Sequence, residues 1–120
     1  PTLLVAPTRA PVQAYEGRVQ STFCDTELSG VVEVYVQANG NGVAGTLVEI
    51  EWDTGSDRFV TGLKPDRGPA YADFEMEAGE SYIVSLPGLS GPLRDSLIAE
   101  RCFTEDGSES ITSYRVVFQS

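Results

Sequence analysis

The side chains in this chain that could do chemistry are mostly carboxylates. Asp53-Thr54-Gly55-Ser56 sets an aspartate among small, hydroxylated and flexible residues. Two such carboxylates brought together from paired subunits can share one proton and activate a water. A dyad of that kind is buried by small apolar residues just before the aspartate, but here those places hold Glu51 and Trp52. A second carboxylate two residues away suits a solvated turn, so Asp53 is read as a strand-end turn residue, with catalytic Asp53 kept as the alternative. Asp53, Asp57, Asp66 and Asp73 fall in or beside turns, and Glu105 and Asp106 mark a further acidic loop. Calcium needs six to eight oxygens at close range, and no stretch matches a twelve-residue EF-hand loop. The expectation is therefore no cofactor and no metal, with these aspartates the places where Ca2+ would sit if it binds.

Cys24 and Cys102 have no CxxC partners, and the chain has no histidine, so a zinc site lacks ligands. A bond between them would close a loop of about 79 residues and contribute up to roughly 4.5 kcal/mol. Pairing is the expected state for a domain of this composition and implies an oxidising compartment; the alternative is two buried thiols. Among the aromatics, Tyr35 and Tyr71 fall on the outward faces of their runs. Trp52 belongs to the core unless a one-residue slip turns it out. An outward set of Tyr35, Tyr71 and Trp52 would make a flat surface on which carbohydrate could stack.

The elements that position these residues are short and alternating. In Gly30–Trp52, Val32, Val34 and Val36 point one way and Glu33, Tyr35 and Gln37 the other. Later in the stretch Val48, Ile50 and Trp52 share a face. A period of two marks half-buried strands. Between the runs, Asn39-Gly40-Asn41-Gly42 tolerates positive φ, which predicts a hairpin. Tyr15–Phe23 reads as the first strand, with Tyr15, Val19 and Phe23 inward. Asp53–Asp57 reads as a turn, 58–63 as a short strand and 64–69 as a second turn. Ala72, Phe74 and Met76 point inward from the next strand, and Asp73 and Glu75 outward. Tyr82, Val84 and Leu86 follow, and Asp95–Phe103 is either a strand or one helical turn. The acidic loop 104–110 leads to a closing strand with Tyr114, Val116 and Phe118 inward. Residues 1–13 (PTLLVAPTRAPVQ) carry three prolines and read as an interdomain linker or an edge segment. Residues 14–120 read as one all-β domain of about seven to eight strands in two packed antiparallel sheets.

Composition narrows the partners. Eighteen acidic against eight basic residues give a net charge of −10, which repels phosphate backbones and anionic lipid headgroups. No apolar run is long enough to span a bilayer. No signal peptide is visible in a chain that begins at Pro1 and reads as mature or trimmed.

The pattern of residues 30–88 resembles a carboxypeptidase-regulatory-like (prealbumin-like, transthyretin-like) module of bacterial secreted or surface proteins. The residues that carry the likeness are Gly42-Val43-Ala44-Gly45, Asp66-Arg67-Gly68, Phe74 and Ala78-Gly79-Glu80-Ser81-Tyr82. The resemblance implies an Ig-like or prealbumin-like sandwich in which glycines make the reversals and Phe74 and Tyr82 fill the gap between sheets. It also implies a non-enzymatic extracellular module that spaces or presents other domains of the same chain or other surface proteins. A carbohydrate- or protein-binding module is the alternative within binding. A homodimeric aspartic protease, similar to the retroviral type in length and all-β character, is the alternative from another class. Some surface sandwiches join a lysine to an asparagine or aspartate by an internal isopeptide. The one lysine here, Lys64, precedes Pro65 in a turn rather than lying buried on a strand, which argues against that bond.

Overall fold

A computed structural model describes residues 14–120, so the proline-rich stretch 1–13 lies outside the described residues. The chain is all-β. Its strands are β1 (Glu16–Phe23), β2 (Val31–Ala38), β3 (Asn41–Gly42), β4 (Leu47–Trp52), β5 (Gly55–Val60) and β6 (Tyr71–Glu75). There follow β7 (Ser81–Ser85), β8 (Leu97–Ile98), β9 (Arg101–Phe103), β10 (Glu109–Ile111) and β11 (Ser113–Gln119). Seven of these have five residues or more; the rest are bridges and ribbon pieces. No helix among the described residues is long and apolar enough to cross a membrane.

One sheet runs β1–β11–β2–β3, with β6 also on β2; the other runs β5–β4–β7–β8. A separate ribbon joins β9 to β10. Every described pairing is antiparallel except β11 with β2, which is parallel. The inward faces meet in one core. Val32, Val34, Val36, Val116 and Phe118 of the first sheet face Val48, Ile50, Tyr82, Val84, Leu86 and Leu97 of the second, all essentially inaccessible to water. Each such side chain contributes roughly 1.5–3 kcal/mol by leaving water.

Three expectations change here. The two alternating runs of Gly30–Trp52 do not form a hairpin with one another. Asn39 (φ 52°) and Gly40 (φ 83°) reverse the chain as expected, but only into the two-residue β3. The backbone then crosses to the other sheet before β4. Both runs carry apolar faces with no solvent access, and β2 already has β11 and β6 as neighbours. A two-layer core therefore takes one run on each side. Thr61 fixes the crossover: its Oγ1 accepts from the Thr46 amide (3.0 Å) and donates to the Val43 carbonyl (2.6 Å).

Phe23 does not face inward. The β1–β11 register slips between Val19 and Ser21. This bulge at Gln20 turns the strand over, as an extra residue must when side chains alternate. Tyr15 and Val19 still pack on the core, whereas Phe23 lies on the outer face under Arg115, 5.5 Å from guanidinium to ring centroid. Finally, Asp57 sits within β5 rather than in a turn, because Asp53-Thr54 alone closes a tight β4–β5 hairpin (Trp52 opposite Gly55). Asp95–Phe103 is not helical and supplies the short strands β8 and β9.

Cys24 and Cys102 are bonded, with their Cα atoms 6.0 Å apart and a sequence separation of 78. The bond ties the end of β1 to the β9–β10 ribbon. That ribbon is also held by Ser110 Oγ donating to the Asp25 carbonyl (2.7 Å) and by the Gly30 amide on the Ile111 carbonyl (3.0 Å). Such a bond belongs to a non-reducing compartment.

Candidate functional site

The outer face of the first sheet carries the most organised polar chemistry in the described residues. Its register lays side chains out in rungs. One rung is Arg18–Val117–Tyr35–Tyr71, across β1, β11, β2 and β6; the next is Ser21–Arg115–Glu33–Asp73. A third, Glu16–Gln119–Gln37, lies on the other side of the first.

Glu33 is the centre of this face. Alternation places it outward, yet its side chain is 1% exposed. Oε1 accepts from Arg115 Nη2 (2.9 Å) and Nε (3.3 Å). Oε2 accepts from Arg67 Nη2 (2.6 Å) and lies 3.2 Å from the Tyr71 hydroxyl oxygen. A buried carboxylate is tolerated when paired and hydrogen-bonded in this way. Arg67 comes from the short 3-10 turn Pro65–Arg67; its guanidinium also lies 4.5 Å above the Tyr71 ring. Tyr71 in turn donates to Asp73 Oδ2 (2.9 Å), which holds Lys64 Nζ at 2.7 Å. Burial, first, pushes the Tyr71 phenol well above its ordinary range; the Arg67 contact opposes this and Asp73 reinforces it. The Tyr71 contact keeps Arg67 even more firmly charged than an ordinary arginine.

Tyr35 and Tyr71 are brought together, edge to face with centroids 5.4 Å apart. Trp52 is not with them. It packs against Phe74 (5.8 Å) and Tyr82 (5.5 Å) on the inner side, and Tyr71, though on the outer face, is 2% exposed beneath Arg67, so of the expected flat aromatic surface only the half-buried Tyr35 remains. Beside Tyr35, Arg18, Gln20, Gln37, Arg115, Val117 and Gln119 enclose a groove of about 290 Å3. A larger groove of about 550 Å3 runs between β1 and the loop 90–95. There Glu16 and Asp95 offset Arg18 and Arg94, so it selects for neither sign of charge.

The four aspartates do not converge. Asp53 is exposed at the β4–β5 tip, Asp57 is exposed and caps the Arg58 amide (2.8 Å), and Asp66 is exposed in the 3-10 turn. Asp73 belongs to the Glu33 network. Among the described residues no three His, Cys, Asp or Glu side chains gather where a metal ion could be held. Asp106 accepts from the Thr104 hydroxyl and the Ser108 amide, and the Thr104 contact chiefly lowers its carboxyl below the usual range. Lys64 is over half exposed beside Asp73.

Glu33, Arg67, Arg115 and Arg18 were not singled out from the sequence. The signal was present: one charged residue sits inside each of two apolar runs, VVEVYV and SYRVVF. An unshielded charge there would be costly, so each one asks for a partner. Comparisons of the chain with protein-family models, with curated proteins and with solved structures found no match.

Proposed function

We propose that this chain is a non-catalytic β-sandwich module of a larger secreted or surface protein, resembling the carboxypeptidase-regulatory-like kind, and that it presents its faces to partners. One observation carries this reading. β1 and β11 are antiparallel neighbours, and Glu16 stands opposite Gln119. The described backbone therefore begins and ends at one corner, with Ser120 held by its amide on the Gln37 carbonyl (3.1 Å). A module attached at one corner projects from what it is joined to. The disulfide supports an extracellular setting for it.

Single-molecule pulling tests this reading. Handles at residues 14 and 120 should peel β1 from β11 rung by rung. Handles at 26 and 120 load the same strands lengthwise and should need a distinctly higher force. Equal forces, or a higher force from the first pair, would point to an in-line spacer instead.

Tyr35 and the adjoining groove favour a second reading, a carbohydrate- or protein-binding module. The aspartic protease alternative rests on Asp53 alone. Pepstatin-sensitive cleavage abolished by Asp53→Asn would establish it in place of the reading above.

A further inference from the structure

The groove beside Tyr35 has a composition that selects a ligand class. The chain carries a net charge of −10 and only eight basic residues, yet Arg18, Lys64, Arg67 and Arg115 all lie on this one face. Lys64 is matched by Asp73, and Glu33 is shared between Arg67 and Arg115. Glu16 and Glu75 also stand on this face, so its charges balance as a whole, but the lining of the groove itself holds Arg18 and Arg115 and no carboxylate. Arg18 is exposed and forms no ion pair among the described residues, so its guanidinium is open to an incoming anion. At the groove floor Val117 is 5% exposed, and the half-buried Tyr35 beside it on the same rung supplies the apolar surface. Around the floor stand three amides, Gln20, Gln37 and Gln119.

Each of these features meets a feature of one kind of molecule. A pyranose ring offers a C–H face to an apolar floor and an aromatic ring. Its hydroxyls both donate and accept, and so do glutamine amides. A carboxylate on the sugar matches the planar fork of an arginine with two parallel hydrogen bonds. An acidic peptide would also satisfy Arg18 and its backbone could pair with the glutamines, but it offers no C–H ring face to Tyr35. At about 290 Å3 the groove lies near the lower limit of small-molecule sites, which suits a single sugar ring of a longer chain. We propose that this groove binds a uronic-acid residue of an acidic polysaccharide, with Arg18 holding the carboxylate, Tyr35 and Val117 under the ring, and Gln20, Gln37 and Gln119 on the hydroxyls. The site deepens the binding reading given above and is independent of how the module is attached.

The test is a titration of the full 120-residue chain, followed by amide chemical shifts and calorimetry. The probes are oligogalacturonate, oligomannuronate and a hyaluronan hexasaccharide. A neutral cello-oligosaccharide and a poly-glutamate peptide serve as comparisons. At least one uronate oligomer should shift the amides of β1, β2 and β11 around the groove. Its affinity should fall with salt, as exposed charge pairs do, and should exceed that for the neutral oligomer. Arg18→Gln removes the charge but keeps an amide, and should weaken binding about tenfold, the low end for a charge-assisted pair. Tyr35→Ala should weaken it independently. No shifts with any of the three uronates would overturn the proposal. So would equal affinity for the neutral oligomer, preference for poly-glutamate, or affinity unchanged in Arg18→Gln. None of these outcomes alters the pulling result, so failure of the site and failure of the presentation reading can be told apart.

Discussion

Glu33→Gln is the substitution that most directly probes the outer face. It keeps the side chain's size and removes its charge. In the native protein the carboxylate is 1% exposed and takes hydrogen bonds from Arg115 and Arg67 at 2.6–3.3 Å. Breaking a fully buried pair by removing one partner costs about 3–5 kcal/mol. Both arginine side chains are 41% exposed and can turn toward water, so the loss is discounted to about 2–3 kcal/mol. The amide also points its NH2 group at a guanidinium that can only donate. For a domain of this size that corresponds to a melting temperature lower by about 10 °C. Urea and thermal unfolding, followed by Trp52 fluorescence and far-UV circular dichroism, measure it. Glu51→Gln, at an exposed position of β4, is the control and should stay within about 0.5 kcal/mol. A Glu33→Gln domain within that same margin of wild type would refute the reasoning, because the two guanidinium contacts would then contribute nothing net.

Three further outcomes are expected. Replacing both Cys24 and Cys102 by serine should cost up to about 4.5 kcal/mol in the chain-entropy limit, and native wild type should show no free thiol until reduction adds two hydrogens to its mass. Gly17→Ala should cost about 1–3 kcal/mol by overpacking, because a Cβ there would stand 2.3 Å from the Phe118 ring and 2.8 Å from Leu93; a neutral result in urea unfolding would show that these neighbours yield freely. Tyr71 holds its proton more tightly folded than unfolded, so its contribution is complete below the ordinary phenol value of about 10 and is lost as pH rises beyond it; the fall in stability above pH 10 should be shallower in Tyr71→Phe, and identical alkaline profiles would contradict this.

Local periodicity carried the element types well, because a half-buried strand writes its two faces directly into the chain. Val32, Val34 and Val36, Val48 and Ile50, and Tyr82 and Val84 all face the core as their alternation requires. What periodicity does not contain is the choice of neighbour. The Asn39–Gly42 turn is real, yet nothing local says that β4 leaves for the opposite sheet, since that choice is made by β11 and β6 flanking β2. Likewise the bulge at Gln20 has no glycine or proline to announce it, and it reversed the side of Phe23. The candidate site was half legible. Tyr35 and Tyr71 read as outward residues, and the register made them neighbours. The buried state of Glu33 depends on Arg67 and Arg115, 34 and 82 residues away in sequence, and only the three-dimensional arrangement brings them to it.

A projecting module requires that the described region, residues 14–120, begin and end at one corner. Spin labels at Ala14 and Ser120 test this by dipolar broadening. They flank a rung whose Cα atoms are about 5 Å apart in an antiparallel pair, so strong broadening is predicted. Ends placed at opposite poles of an eight-residue strand would lie about 26 Å apart or more, and unbroadened spectra would contradict the claim.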